Sequence, residues 1–73
     1  DYQIFSSGYT TLTIFNIRGK NVKTIFKGTT SIGNYSIIWD GTDDFGKLLP
    51  SGHYFYQLKN NEIIDTKKMV FLK

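Results

Sequence analysis

The run Trp39-Asp40-Gly41-Thr42-Asp43-Asp44-Phe45-Gly46, followed after a short gap by Ser51-Gly52-His53-Tyr54-Phe55-Tyr56, constrains the fold more than any other stretch. An aromatic strand end runs into an acidic, glycine-rich turn, and a second aromatic strand leaves it. The segment therefore reads as strand, structured connection, strand. Asp side chains accept hydrogen bonds from backbone amides two residues on, and Gly takes positive φ without steric cost, so such a connection is held by its own backbone. Trp39, Asp40, Gly41, Asp43, Asp44 and Gly46 are its structural residues, and a rigid loop of this kind positions strands without having to bind anything.

Glycines at 8, 19, 28, 33, 41, 46 and 52 punctuate stretches of β-branched and aromatic residues, which is the spacing of many short strands. Thr10 to Ile17 is the clearest, with Leu12 and Ile14 on one face and Thr11 and Thr13 on the other. Arg18-Gly19-Lys20-Asn21 turns the chain, and Val22 to Phe26 returns as the second arm of a hairpin. Tyr35, Ile37 and Trp39 alternate with Ser36, Ile38 and Asp40 in a further strand, with Trp39 as core anchor. Pro50 excludes a central ladder for Lys47 to Pro50. His53 to Lys59 is a strand with Tyr54, Tyr56 and Leu58 on one face, Asn60-Asn61 is a hairpin turn, and Glu62 to Leu72 closes the domain. Its last four apolar residues predict burial on both sides. The opening Asp1 to Phe5 also reads as strand.

No stretch holds a helical period. The expected fold is an all-β, immunoglobulin-like antiparallel β-sandwich of six or seven strands, with residues 1–73 as a single domain. Leu12, Ile14, Val22, Ile37, Trp39, Tyr54, Tyr56 and Leu58 are the predicted core. A domain of 73 residues buries only about 60% of the surface its unfolded chain exposes, so the core must be efficient. Six Phe, five Tyr and Trp39 supply that efficiency. There is no Cys, hence no disulfide or thiolate staple. The chain opens inside a strand and ends just past an apolar one, as expected of a C-terminal fragment of a longer protein.

Function classes narrow quickly. Nine Lys and Arg against six acids give a charge of +3, but the basic residues are scattered and only Lys67 and Lys68 adjoin, which is the pattern of soluble strand-edge lysines and not of a nucleic-acid footprint. The longest apolar run, Met69 to Leu72, is far short of a membrane span. Asp40, Asp43 and Asp44 lack the alternation of an EF-hand and its distant Glu, so turn-capping is the reading and no metal or other cofactor is expected. His53 is the lone histidine, without a second His or a Cys to complete a transition-metal set. Ser51, His53 and Asp40 form no ordered triad and no nucleophile elbow is present. Tyr54 and Tyr56, at period two, are sheet core before they are a stacking platform. The chain is read as a non-enzyme.

The order of separated motifs carries a resemblance. Leu12 to Val22, Gly33, Trp39-Asp40-Gly41 with Asp43-Asp44 and Gly46, Ser51 to Tyr56, and Lys67-Lys68-Met69-Val70 together resemble the type A C-terminal sorting domain of the type IX secretion system. That domain is itself closely similar to the immunoglobulin-like domain of the flagellar hook-capping protein. The likeness spans roughly residues 10 to 73, although the proline-asparagine-proline segment that often opens sorting domains is missing. The resemblance implies a bacterial module that directs an upstream cargo across the periplasm to the cell surface or medium, with the translocation or assembly machinery and its own upstream domains as partners. Carried onto this chain, the recognition residues are Gly52, Tyr54, Tyr56, Lys67, Lys68 and Met69. The other role implied is that of a structural immunoglobulin-like module in a surface or hook-capping-type assembly.

Overall fold

A computed structural model describes residues 2–4, 6–36 and 38–72. Six strands follow in order: β1 (Tyr2–Ile4), β2 (Gly8–Asn16), β3 (Asn21–Thr30), β4 (Gly33–Tyr35), β5 (Gly52–Asn60) and β6 (Ile63–Phe71). Four of them make one antiparallel sheet in the order β3-β2-β5-β6, and β1 pairs with β4 in a second, two-stranded sheet. The chain is thus an all-β, immunoglobulin-like antiparallel sandwich, with six strands among the described residues.

Side-chain parity on β2 decides which face of the large sheet turns inward. Thr10, Leu12 and Ile14 are buried, while Thr11 and Thr13 between them are half-exposed. Opposite them across the ladder stand Asn60, Leu58 and Tyr56 of β5. Ile4 of β1, only 2% exposed, closes over Leu12 and Leu58, and Ile25, Phe26, Tyr35 and Tyr56 pack around this trio. Fully burying one such Leu or Ile contributes roughly 1.5–3 kcal/mol, so the small sheet is held largely through Ile4. On β3 the register slips between Leu12 and Thr13 and again between Ile14 and Phe15, leaving Ile25 and Val22 without a partner on β2. The first of these bulges lets two consecutive residues, Ile25 and Phe26, both reach the core.

Polar residues also lie inside. Asn60 Nδ2 donates to Thr10 Oγ1 at 2.9 Å, and Thr10 Oγ1 shares a 2.7 Å hydrogen bond with Thr30 Oγ1. This stitches β5, β2 and β3 together beneath the core, and among the described residues no buried polar side-chain atom lacks a partner.

The structure departs from the expectations in several places. The β5–β6 turn is Asn61-Glu62 and not Asn60-Asn61: Asn60 stays in the ladder opposite Ile63, its side chain tied to Thr10, and Asn61 takes the positive φ of 56°. The strand predicted from Tyr35 to Asp40 stops at Tyr35, where the pairing with Tyr2 ends, so Trp39 sits half-buried in a connection. Ile37 lies outside the described residues. Val22 and Tyr56 are half-buried too. The apolar end of β6 is not enclosed: Val70 is 59% and Leu72 77% exposed. β6 is the edge of its sheet and no layer covers its outer face, so only Met69 and Phe71, on the inner face, gain partial cover.

Candidate functional site

The connection between β4 and β5 is built from side chains that bond to its own backbone. Asp40 Oδ1 accepts from the Thr42 amide at 3.0 Å and from the Thr42 hydroxyl at 2.6 Å. Those two bonds, the hydroxyl's first, hold the Asp40 carboxyl below its usual value of 3.8. Asp43 Oδ1 accepts from the amides of Phe45 and Lys47, both at 2.9 Å, and closes the tip of the loop. Gly41 and Gly46 supply φ of 82° and 81°, where a side chain is strained. Within the loop, Thr42 and Leu48 form an isolated antiparallel bridge.

Further bonds tie this loop to β3, about twenty residues away in sequence. The Asp44 amide donates to Val22 O at 3.1 Å, and Asp44 Oδ1 accepts from the Thr24 amide at 2.9 Å. Lys23 Nζ donates to Asp43 O at 3.1 Å. The loop therefore occupies part of the free edge of β3. Sequence reading assigned Asp44 only a local role, and no spacing in the chain reports a bond to so distant an amide.

Trp39 anchors the other side of the loop. Its Nε1 donates to Thr42 O at 2.9 Å, and its ring lies 5.2 Å from those of Tyr54 and Phe71. Tyr54 meets Phe71 edge-on at 6.4 Å and donates its hydroxyl to Pro50 O at 2.7 Å. These tilted and edge-to-face contacts each contribute about 0.5–1.5 kcal/mol beyond burial. Gly41 lies directly against Phe71: a Cβ there would overlap the ring. Phe71 was not singled out from the sequence, although its parity with Met69 on the closing strand marks it as inward-facing.

The six candidate recognition residues fall on two neighbouring strands. Tyr54 stands opposite Met69 and Tyr56 opposite Lys67, all on the inner face, while Gly52 faces Phe71. Lys68 faces Phe55 and so projects from the opposite side of the sheet. The adjacent lysines thus form no single basic patch. His53 is exposed and stands opposite Val70 on β6. Among the described residues no three His, Asp or Glu side chains are grouped to hold a metal ion, and no helix is long and apolar enough to cross a membrane. The three loop aspartates aim at amides and a hydroxyl, so what the arrangement does chemically is fix backbone.

A strand order of β3-β2-β5-β6 facing a two-stranded sheet, with the long connection clamped across one end by a Trp, defines an immunoglobulin-like module. The chain belongs to the FlgD Ig-like domain family, whose model matches residues 6–62. No curated protein and no solved structure gives a significant match.

Proposed function

We propose that this domain is a non-catalytic C-terminal sorting domain that directs export, and surface attachment, of a protein segment ahead of it through the type IX secretion system. The observation that carries the reading is the pairing of β5 with β6, which sets Tyr54 against Met69 and Tyr56 against Lys67. The two segments that the sequence resemblance singles out thereby lie side by side in one sheet, with Lys68 on the opposite face. β6 is also an open sheet edge, and an open edge offers backbone donors and acceptors to an extended partner. Recognition of this kind needs shape and strand alone. The localisation that follows is bacterial cell surface or medium, reached through the periplasm.

A second reading is favoured by the family match itself: a structural immunoglobulin-like module that packs against neighbours in a surface or hook-capping-type assembly. A reporter experiment separates the two. Residues 1–73, with the parent's preceding segment, are fused to a periplasmic reporter in a bacterium that has the type IX machinery. The sorting role predicts reporter at the surface or in the medium with the intact domain, and retention when residues 62–73 are removed. Reporter held in the periplasm beside an exporting control would leave the structural module standing.

A further inference from the structure

The two edges of the four-stranded sheet are treated differently. At β3, Asp44 occupies the Val22 carbonyl and the Thr24 amide, so that stretch of edge is closed. At β6 no strand among the described residues pairs with the outer edge, which runs for nine residues from Ile63 to Phe71. An edge of that length templates another strand unless something prevents it. What occupies it is written in its own charge pattern.

We infer that β6 pairs antiparallel with β6 of a second copy of this chain, about a two-fold axis through Thr66, joining two four-stranded sheets into one of eight. A two-fold axis perpendicular to the sheet must pass between like residues, because only then do facing side chains share a face. The registers centred on Thr66, Lys67 and Lys68 pair the most of the strand, and those centred on Asp65 and Met69 come next and are equal in length. Centred on Asp65, the axis opposes two carboxylates. Centred on Lys67 or on Lys68, it opposes two ammonium groups. Centred on Thr66, it sets Asp65 against Lys67 of the second copy and Lys67 against its Asp65, with no like charges opposed. Opposite charges directly across a ladder stabilise it and like charges destabilise it.

Of the remaining pairs in that register, Ile64 stands opposite Lys68 and the others are favourable. Ile63, 49% exposed, meets Met69 on the inner face, and the two Thr66 side chains meet on the outer one. Thr–Thr and apolar cross-strand pairs are favourable. The inner face has room for the second copy because the small sheet, two strands of three residues, leaves Ile63, Asp65 and Lys67 exposed. Among the registers that pair most of the strand, the same charges that deter unspecific pairing thus select one. The inference is independent of the sorting role; where both hold, the dimer and an export partner exclude each other at one edge.

Sedimentation equilibrium on the 73-residue chain tests it, in parallel with Asp65→Lys, Lys67→Asp and the double variant carrying both. The wild type is expected to dimerise, each single reversal to weaken the dimer roughly tenfold, and the double reversal to restore it. Both positions are exposed, and Trp39 fluorescence, read through its contact with Phe71 at the end of β6, verifies that each variant folds. Three results would overturn the inference: a wild type that stays monomeric up to millimolar concentration, a dimer indifferent to the single reversals, or a folded double variant that remains as weak as the singles.

Discussion

Gly41 and Gly46 share one backbone conformation and differ only in what surrounds them. Their φ values are 82° and 81°, but a Cβ at Gly46 meets nothing within 4 Å, whereas at Gly41 it overlaps the Phe71 ring. Replacing either by Ala places a side chain in the left-handed region, at about 1–2 kcal/mol, and recovers about 0.4–1 kcal/mol by restricting the unfolded chain. Gly46→Ala should therefore destabilise by about 1 kcal/mol. Gly41→Ala must in addition push Phe71 away from Trp39 and Tyr54, and forcing extra atoms into a packed site costs typically 1–3 kcal/mol. Its total is about 2–4 kcal/mol, a large part of the stability of so small a domain. In a chain of this size 1 kcal/mol moves the melting temperature by about 4–8 °C. Urea unfolding followed by Trp39 fluorescence and thermal unfolding by circular dichroism measure the difference. Phe71→Leu in the Gly41→Ala background should return part of the loss, since the smaller side chain yields to the new methyl. Equal destabilisation by the two alanines would refute the reasoning, because it would mean that the Phe71 ring does not rest on the Gly41 backbone.

Two further outcomes concern the aspartates. The carboxyl carbon of Asp40, followed by NMR, should titrate below 3.8, and Thr42→Val should move the midpoint back up by removing the hydroxyl donor. Because the folded value is depressed, the Asp40 contribution to stability is complete above the unfolded value of about 4 and is lost as pH falls through the folded one; a midpoint unmoved by Thr42→Val would count against the hydroxyl as the main cause. Thermal unfolding in calcium and in a chelator should give the same midpoint, whereas a rise of several degrees with calcium would reveal a bound ion stabilising the native state by mass action.

How far the sequence announced all this depends on whether the determinant is local. Strand parity is local: Leu12, Ile14 and Leu58 are buried as their alternation predicts, and the same parity extended one step would have placed Thr10 inside with them. Loop closure by Asp40 and Asp43 is also local, spanning two to four residues. Edge position is not. Met69 to Leu72 carries an apolar run that suits a strand covered on both faces, but strand order puts β6 outermost, and Val70 and Leu72 face solvent. Trp39 shows the converse: its alternation with Ile37 and Tyr35 suits a strand, yet the small sheet ends at Tyr35 and the indole is held instead by Thr42, Tyr54 and Phe71. The bond from Thr24 to Asp44 joins segments whose proximity exists only after the sheet has formed.

The loop and the closing strand are best understood through the edges they leave. A four-stranded sheet necessarily has two, and each is a site for unwanted pairing unless blocked. Here the block at β3 is made with backbone and carboxylate from the β4–β5 connection, so the aspartate-rich loop guards an edge as well as shaping itself. A second loop of this kind over β6 would have been the direct way to guard that edge too. Instead β6 carries Asp65, Lys67 and Lys68 along an open ladder. Three like charges would repel another copy in every long register; a carboxylate two residues from an ammonium favours one of them. The asymmetry between the two edges is the reason the proposed dimer and the proposed export partner are both assigned to β6, whose backbone both would need.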